Sequence, residues 1–287
     1  MLVYAAIGDA YGAAFEFVDH SRWPDNDGLH FYAHPDLPLG NGKYTDDTQM
    51  MLALARLLLD SNSSELPDAE EFFDAWLTTY KENPIDGYSS GMKKLLEEST
   101  DALDLMQRLV PSSSRSGAVM RSAVLGFLPS VLMLKNWSRK QVSTTHNTDI
   151  SRYCGSAISL AAHYLFHQVG PRDSLGEFLN RNADSPVSFI DWNEDRTEWA
   201  SVEAVDCARN AITAWRNSRT LTEVLTNSVA PGGDTDTVAC IAMALAWCDD
   251  TITNDLPTSM INQLNGGDFG FEYLFNTTNE LIRKFSR

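Results

Sequence analysis

The sequence predicts a mostly α-helical protein organised as one domain over residues 1–287. Three observations carry that expectation. Apolar residues recur at helical spacing almost wherever they recur at all, alternating or β-branched runs are nearly absent, and no segment has the length and low complexity of an interdomain linker. No repeat of solenoid period is present either.

The elements follow in chain order. Ile7-Gly8-Asp9-Ala10-Tyr11-Gly12-Ala13-Ala14-Phe15-Glu16-Phe17 supplies small residues that let helices approach closely, and it sets Glu16 between aromatics, where burying a lone charge is costly. A surface glutamate at a helix end reads equally well there. Met50, Met51, Leu54, Leu57 and Leu58 share one helical face, as do Phe72, Phe73, Trp76, Leu77 and Tyr80. Val119, Met120, Val124, Phe127, Leu128, Val131 and Leu132 form a third stripe, which Pro129 should kink or split. Cys154, Ala157, Ile158, Ala161 and Leu165 form the next, then Trp199, Val202, Val205, Ile212 and Trp215. Val238, Ile241, Ala242 and Leu245 precede a final stripe of Phe271, Leu274, Phe275, Ile282 and Phe285. The segments 20–43, 111–117, 180–196 and 217–233 read as polar connections, the first of them long for a structureless loop.

Composition narrows the function. Lys and Arg number 22 against 39 Asp and Glu, a net charge of -17, which disfavours nucleic-acid backbones and anionic lipid surfaces as partners. Hydrophobic residues at 43% give ample material for a core. No basic region precedes Arg22, so a secretory signal is not expected, and the longest apolar run, 238–248, falls well short of the ~20 residues that span a bilayer. Cys154, Cys207, Cys240 and Cys248 form no C-x-x-C pair and read as reduced core thiols, which makes the cytoplasm the expected location.

Two acidic turns each open an apolar helix. In Tyr44-Thr45-Asp46-Asp47-Thr48-Gln49 the pattern suits an ordinary cap, a Thr followed by acidic residues in the first turn. In Gly232-Gly233-Asp234-Thr235-Asp236-Thr237, Asp234 could cap the helix, but two carboxylates so close are not both needed for that. Carboxylates interleaved with hydroxyls are the hard oxygen ligands that Mg²⁺, Ca²⁺ and Mn²⁺ prefer. Should the two turns converge, their charge would repel without metal, and one or two cations would neutralise it.

These segments, taken with Gly8-Asp9-Ala10-x-Gly12 and the following Glu16, with Gly117-x-x-Met120-Arg121 and with Thr145-His146-Asn147, occur in the order seen in the ADP-ribosylglycohydrolases. The chain resembles that family from Gly8 to about Trp247. The resemblance implies a compact orthogonal multi-helix domain with a binuclear Mg²⁺ or Mn²⁺ centre at the bottom of an ADP-ribose cleft. Thr45, Asp46, Asp47, Asp234, Asp236 and Thr237 would hold the metals, and Glu16, Asp46 or Asp47 would be the catalytic carboxylate. Cleaving a ribosyl C1″ bond develops oxocarbenium-like charge, and a positioned sugar with a carboxylate-activated water suits that chemistry.

Ser114, Ser116, Gly117 and Ala118, ahead of an expected helix at Val119, look like a diphosphate cradle, although such Ser-rich clusters also mark plain turns. Many family members carry Asn-Gly where this chain has Ser116-Gly117. His146 matches the family's Thr-His segment and would contact the diphosphate. His163 and His167 lack the rest of a metal motif and read as packing residues. Neither a P-loop nor a nucleophile elbow is present. The expected activity is release of ADP-ribose from modified protein side chains, with a lean to arginine, or from related conjugates, by a monomer. Two alternatives stay open: an immunity or binding protein that occludes an ADP-ribosylating toxin, and a metal-dependent phosphoesterase.

Overall fold

The computed structural model describes residues 1–24, 29–61, 66–183 and 190–285. Among the described residues there are thirteen α-helices and no strand beyond isolated bridges. They are α1 (Leu2–Gly12), α2 (Asp46–Asp60), α3 (Ala69–Glu82), α4 (Ser90–Glu98), α5 (Ala102–Arg108), α6 (Val131–Thr145), α7 (Asp149–Phe166), α8 (Leu175–Asn182), α9 (Ala204–Arg216), α10 (Leu221–Val229), α11 (Thr235–Cys248), α12 (Thr258–Gln263) and α13 (Phe271–Phe285). One continuous apolar cluster runs through them from Met1 to Phe285.

The centre of the fold is the pair α1 and α11. Both are apolar nearly all round, as helices buried on every side must be, and α11 is buried from Thr235 to Ala246. A Cβ on Gly8 would overlap the Ala239 carbonyl, and one on Gly12 the Thr235 carbonyl, so these two glycines let backbone meet backbone. Gly8 faces Ala239 while Gly12 faces Thr235, which makes the helices antiparallel and brings the C-terminus of α1 to the N-terminus of α11. Gly12→Ala is expected to force the helices apart and lower stability by about 2–3 kcal/mol, read as a reduced denaturant midpoint.

Three of the predicted elements are corrected. The stripe 119–128 is not α-helical: it forms a 3₁₀ turn, Ser122–Phe127, buried throughout, and α6 starts only beyond Pro129 with Ser130 as its cap. Full burial explains this, because apolar spacing loses its meaning where every face is covered, and Gly126 packs on the backbone of Ala162 and His163. The expected polar connection 217–233 contains α10, opened by a capping box in which Thr220 and Glu223 each accept from the other's backbone N–H. The stripe that begins at Trp199 becomes helical only at Ala204, and Trp199 itself is half-exposed. In segment 20–43, His20–Arg22 form a 3₁₀ turn and Gly40-Asn41-Gly42 a tight reversal at positive φ. Residues 25–28 of that segment, and 184–189 of segment 180–196, lie outside the described residues.

All four cysteines are buried and free. His163 bonds the Leu128 carbonyl and stacks near His167, which is packing rather than ligation. Among the described residues, no helix is long and apolar enough to cross a membrane.

Candidate active site

The antiparallel seating of α1 on α11 carries Glu16, four residues past Gly12, to the start of α11. Carboxylate oxygens of Glu16, Asp234 and Asp236 lie within 4.8 Å of one another. The chain around Glu16 is pinned: Phe17 N donates to Gly233 O at 2.9 Å, and His34 Nε2 donates to Glu16 O at 2.9 Å. Phe17 is held at φ 51°, a left-handed conformation that is strained for a bulky side chain. On the other strand of the turn, Gly233 at φ 93° lets the backbone press on Ala200, whose carbonyl accepts from Asp234 N at 2.9 Å. Asp234 stands at the cap position of α11 yet makes no capping bond, which frees its carboxylate. Its Oδ2 accepts from Ser116 Oγ at 3.0 Å and Cys207 Sγ at 3.3 Å.

The start of α2 is organised by a residue on another helix. Thr45 occupies the cap position, but its side chain makes no capping bond. Instead the buried carboxylate of Asp9, on α1, accepts from Thr45 N at 2.9 and 3.0 Å, from Thr48 N at 3.0 Å, and from the hydroxyls of Thr45 and Thr48 at 2.8 and 2.6 Å. A capping function normally supplied within the helix is thus supplied from α1. Asp46 and Asp47 are then free to face the cleft. A Cβ on Gly87 would come within 2.6 Å of Asp46 Oδ1, so the turn before Tyr88 closes directly over that carboxylate.

The resulting cleft, of ≈ 460 Å³, is lined by Glu16, Asp46, Asp47, Asp234, Asp236 and Thr237, and also by Ser116, Gly117, Arg121 and His146. Several predicted residues therefore meet although nearly 190 positions separate the acidic turns. Others do not reach the cleft surface. Thr45 is turned to Asp9, Ser114 Oγ donates to Glu203 at 2.7 Å, and Ala118 is buried with its carbonyl accepting from Ser122 Oγ at 2.8 Å. The segment 116–118 is a short 3₁₀ turn rather than an α-helix N-terminus, and Ser116 N is engaged with Val202 O at 2.8 Å. His146 follows the last residue of α6 and stands just ahead of α7, whose cap is Thr148.

Electrostatics mark the site as unsatisfied by protein alone. Burial, with Asp234, Asp46 and Asp9 nearby, pushes Glu16 up to about 8. Asp46 is pushed up to about 8 by burial and by Asp9, and the buried Arg121 guanidinium is too weak to offset this. Asp47 and Asp236 are raised well above the usual carboxylate range, by burial first and then by neighbouring carboxylates. Asp47 Oδ1 is buried without a hydrogen-bond partner. An orphaned carboxylate oxygen, ringed by further carboxylates and by hydroxyls, is a donor set that fits a hard divalent cation.

Sequence reasoning missed Gly87 and the roles of Asp9, present only as part of the Gly8-Asp9-Ala10-x-Gly12 motif, and of Cys207. Asp9 and Gly87 carry no local signal of their role, since each acts on a helix distant in sequence.

Fold and site together define a helical scaffold whose cleft ends in a carboxylate centre able to hold metal. A family model described as ADP-ribosylglycohydrolase matches residues 1–286, and the chain belongs to the ADP-ribosylglycohydrolase family. It is 27% identical over 267 residues to the ADP-ribosyl-(dinitrogen reductase) glycohydrolase of Rhodospirillum rubrum, covering 91% of this chain and 87% of that protein. Similarity extends to the ADP-ribosylarginine hydrolase Tri1 of Pseudomonas putida, 23% identical over 85% of this chain and 68% of that one. The ADP-ribosylhydrolase ARH3 of Danio rerio is 24% identical over 85% of this chain and 80% of its own length. A solved structure titled ADP-ribosylglycohydrolase-related protein complex shares the fold, with a TM-score of 0.72 at 21% identity over 98% of this chain and 95% of that one.

Proposed function

We propose that this protein hydrolyses the ribosyl C1″ bond of ADP-ribosylated side chains, arginine foremost, releasing ADP-ribose. The observation that carries the reading is the meeting of Glu16, Asp46, Asp47, Asp234 and Asp236 in one cleft. Asp46, Asp47, Asp234, Asp236 and Thr237, with Thr45 behind them, would hold two divalent cations, Mg²⁺ or Mn²⁺. Cations held there would supply Lewis acidity and a means of fixing the ribose hydroxyls. The chain's own residues do the rest. Glu16, whose carboxylate lies within 4.8 Å of those of Asp234 and Asp236 at the end of the cleft, serves as the general acid or base. Ser116 and Gly117 border the diphosphate, and Ser114 and Ala118 support that turn from behind. The protein acts as a cytoplasmic monomer on ADP-ribosylated proteins or conjugates, among them the products of an ADP-ribosyltransferase toxin.

Glu16→Gln is expected to lower kcat by about 10²–10⁴-fold. Mass spectrometry of products from arginine-, serine- and nucleotide-linked ADP-ribose, with and without EDTA, checks the reading. Intact ADP-ribose that disappears with EDTA supports it. AMP or phosphate as product identifies a phosphoesterase, and no release from any conjugate overturns hydrolysis.

A further inference from the structure

Arg121 is almost completely buried, and its guanidinium lies 4.2 Å from the centroid of the Trp76 ring. Four of its five donor hydrogens are fixed: Nε to Gln141 Oε1 at 2.8 Å, one Nη to Gly117 O at 2.9 Å, the other to Thr145 Oγ1 at 2.7 Å and Gln141 O at 3.2 Å. The side chain therefore acts as a strut, with one Nη hydrogen left uncommitted beside the cleft it lines. Thr145 Oγ1 has one further partner, His146 Nδ1 at 2.8 Å.

Hydrogen bookkeeping then decides the imidazole. Arg121 can only donate, so Thr145 Oγ1 accepts from it, and the threonine's single hydrogen is left for the other contact. Were Nδ1 also a donor, that buried hydroxyl hydrogen would be unsatisfied, at a cost of about 1–3 kcal/mol. Nδ1 therefore accepts, and the ring hydrogen sits on Nε2. A Cβ on Gly117 would come within 3.2 Å of Nε2 and 3.1 Å of Cε1, which places that edge over Gly117, beside the cleft that both residues line.

We infer that Arg121 and Thr145 are positioning residues that fix His146 as the neutral Nε2–H tautomer, presenting one hydrogen-bond donor over Gly117 to an acceptor oxygen of the ligand. That this oxygen belongs to a diphosphate rests on the ADP-ribose reading; the tautomer does not. Burial and the Arg121 charge, which push the imidazole down to about 3, keep the ring from becoming a cation. An uncharged donor suits a site already supplied with cations, because it can grip and release an anionic ligand without adding a further charge.

The test is long-range ¹H–¹⁵N correlation NMR on histidine-labelled protein with Mg²⁺ and no ligand, the His146 signals being assigned by their loss in His146→Gln. The expected spectrum shows an unprotonated Nδ1 and a protonated Nε2, unchanged between about pH 5 and 8, where ordinary histidines titrate. Thr145→Val, close to isosteric, is expected to give mixed tautomers, and to weaken ADP-ribose binding by about tenfold, or 1.4 kcal/mol. Thr145→Ser is expected to restore both. A protonated Nδ1 in the wild type overturns the inference, as does a Val variant with the wild-type spectrum. The wild-type spectrum alone decides the tautomer if the Val variant does not fold. Wild-type protein that shows this tautomer but does not bind ADP-ribose sinks the functional reading and leaves the positioning role standing.

Discussion

Asp9→Ala is expected to cost the protein about 3–4 kcal/mol of stability, and with it most of its affinity for divalent cations. Two backbone N–H groups and two hydroxyls converge on this one buried carboxylate. Alanine leaves Thr45 N and Thr48 N without partners in a site closed to water, and an orphaned buried donor is penalised more heavily than the original bond was worth. The first turn of α2, which carries Asp46 and Asp47, loses the anchor that sets its position against α1. Asp9→Asn should fall between, because one amide oxygen can still accept while the amide nitrogen faces donors. Denaturant unfolding with a parallel calorimetric titration of Mn²⁺ checks both effects. An Ala variant that keeps wild-type stability removes the capping role, and one that loses stability but keeps metal affinity removes its link to the site.

The metal-free protein is expected to lose stability as pH rises from about 4 to about 8, with a fall in Tm on the order of 10 °C, and to regain it on adding divalent cation. Glu16 rises from 4.5 to about 8 in the fold, Asp46 from 3.8 to about 8, and Asp9 from 3.8 to about 6. Between the unfolded and folded values the native state holds protons that the unfolded chain has released. The contribution of these groups to stability is therefore fully present below about pH 4, falls through this window and is lost above it. Bound cations take the place of those protons, so the slope should flatten in their presence, with the gain growing with free metal concentration. Thermal melts across pH, with EDTA and with Mg²⁺, measure this directly. A metal-free protein whose Tm climbs between pH 5 and 8 contradicts the electrostatic account of the site.

Much of this could be read in the chain before any coordinates. The α2, α3, α7, α11 and α13 stripes were legible because each helix buries one face or is apolar throughout, and the acidic turns were legible because each sets two carboxylates beside two hydroxyls within four residues. Where reading failed, the cause was physical. The buried stretch 119–128 has no polar face from which to fix a period, and α10 lay in a segment judged by its polarity while its cap signal, Thr220 and Glu223, went unused. Thr45 looked like the cap of α2 and stands at that position, but the capping oxygen comes from Asp9, thirty-six residues earlier. Local sequence can show that a helix needs a cap; it cannot show that a neighbouring helix provides it.

The close approach of α1 to α11 through Gly8 and Gly12 has a consequence for how the protein comes into being. Glu16 lies near the beginning of the chain and Asp234 near its end, so the centre cannot assemble until α11 has been synthesised and docked. Contacts of such long sequence separation close late and slowly in folding. Metal uptake would therefore report completed folding, and chains stalled or truncated before α11 would carry every acidic motif but one and remain inert.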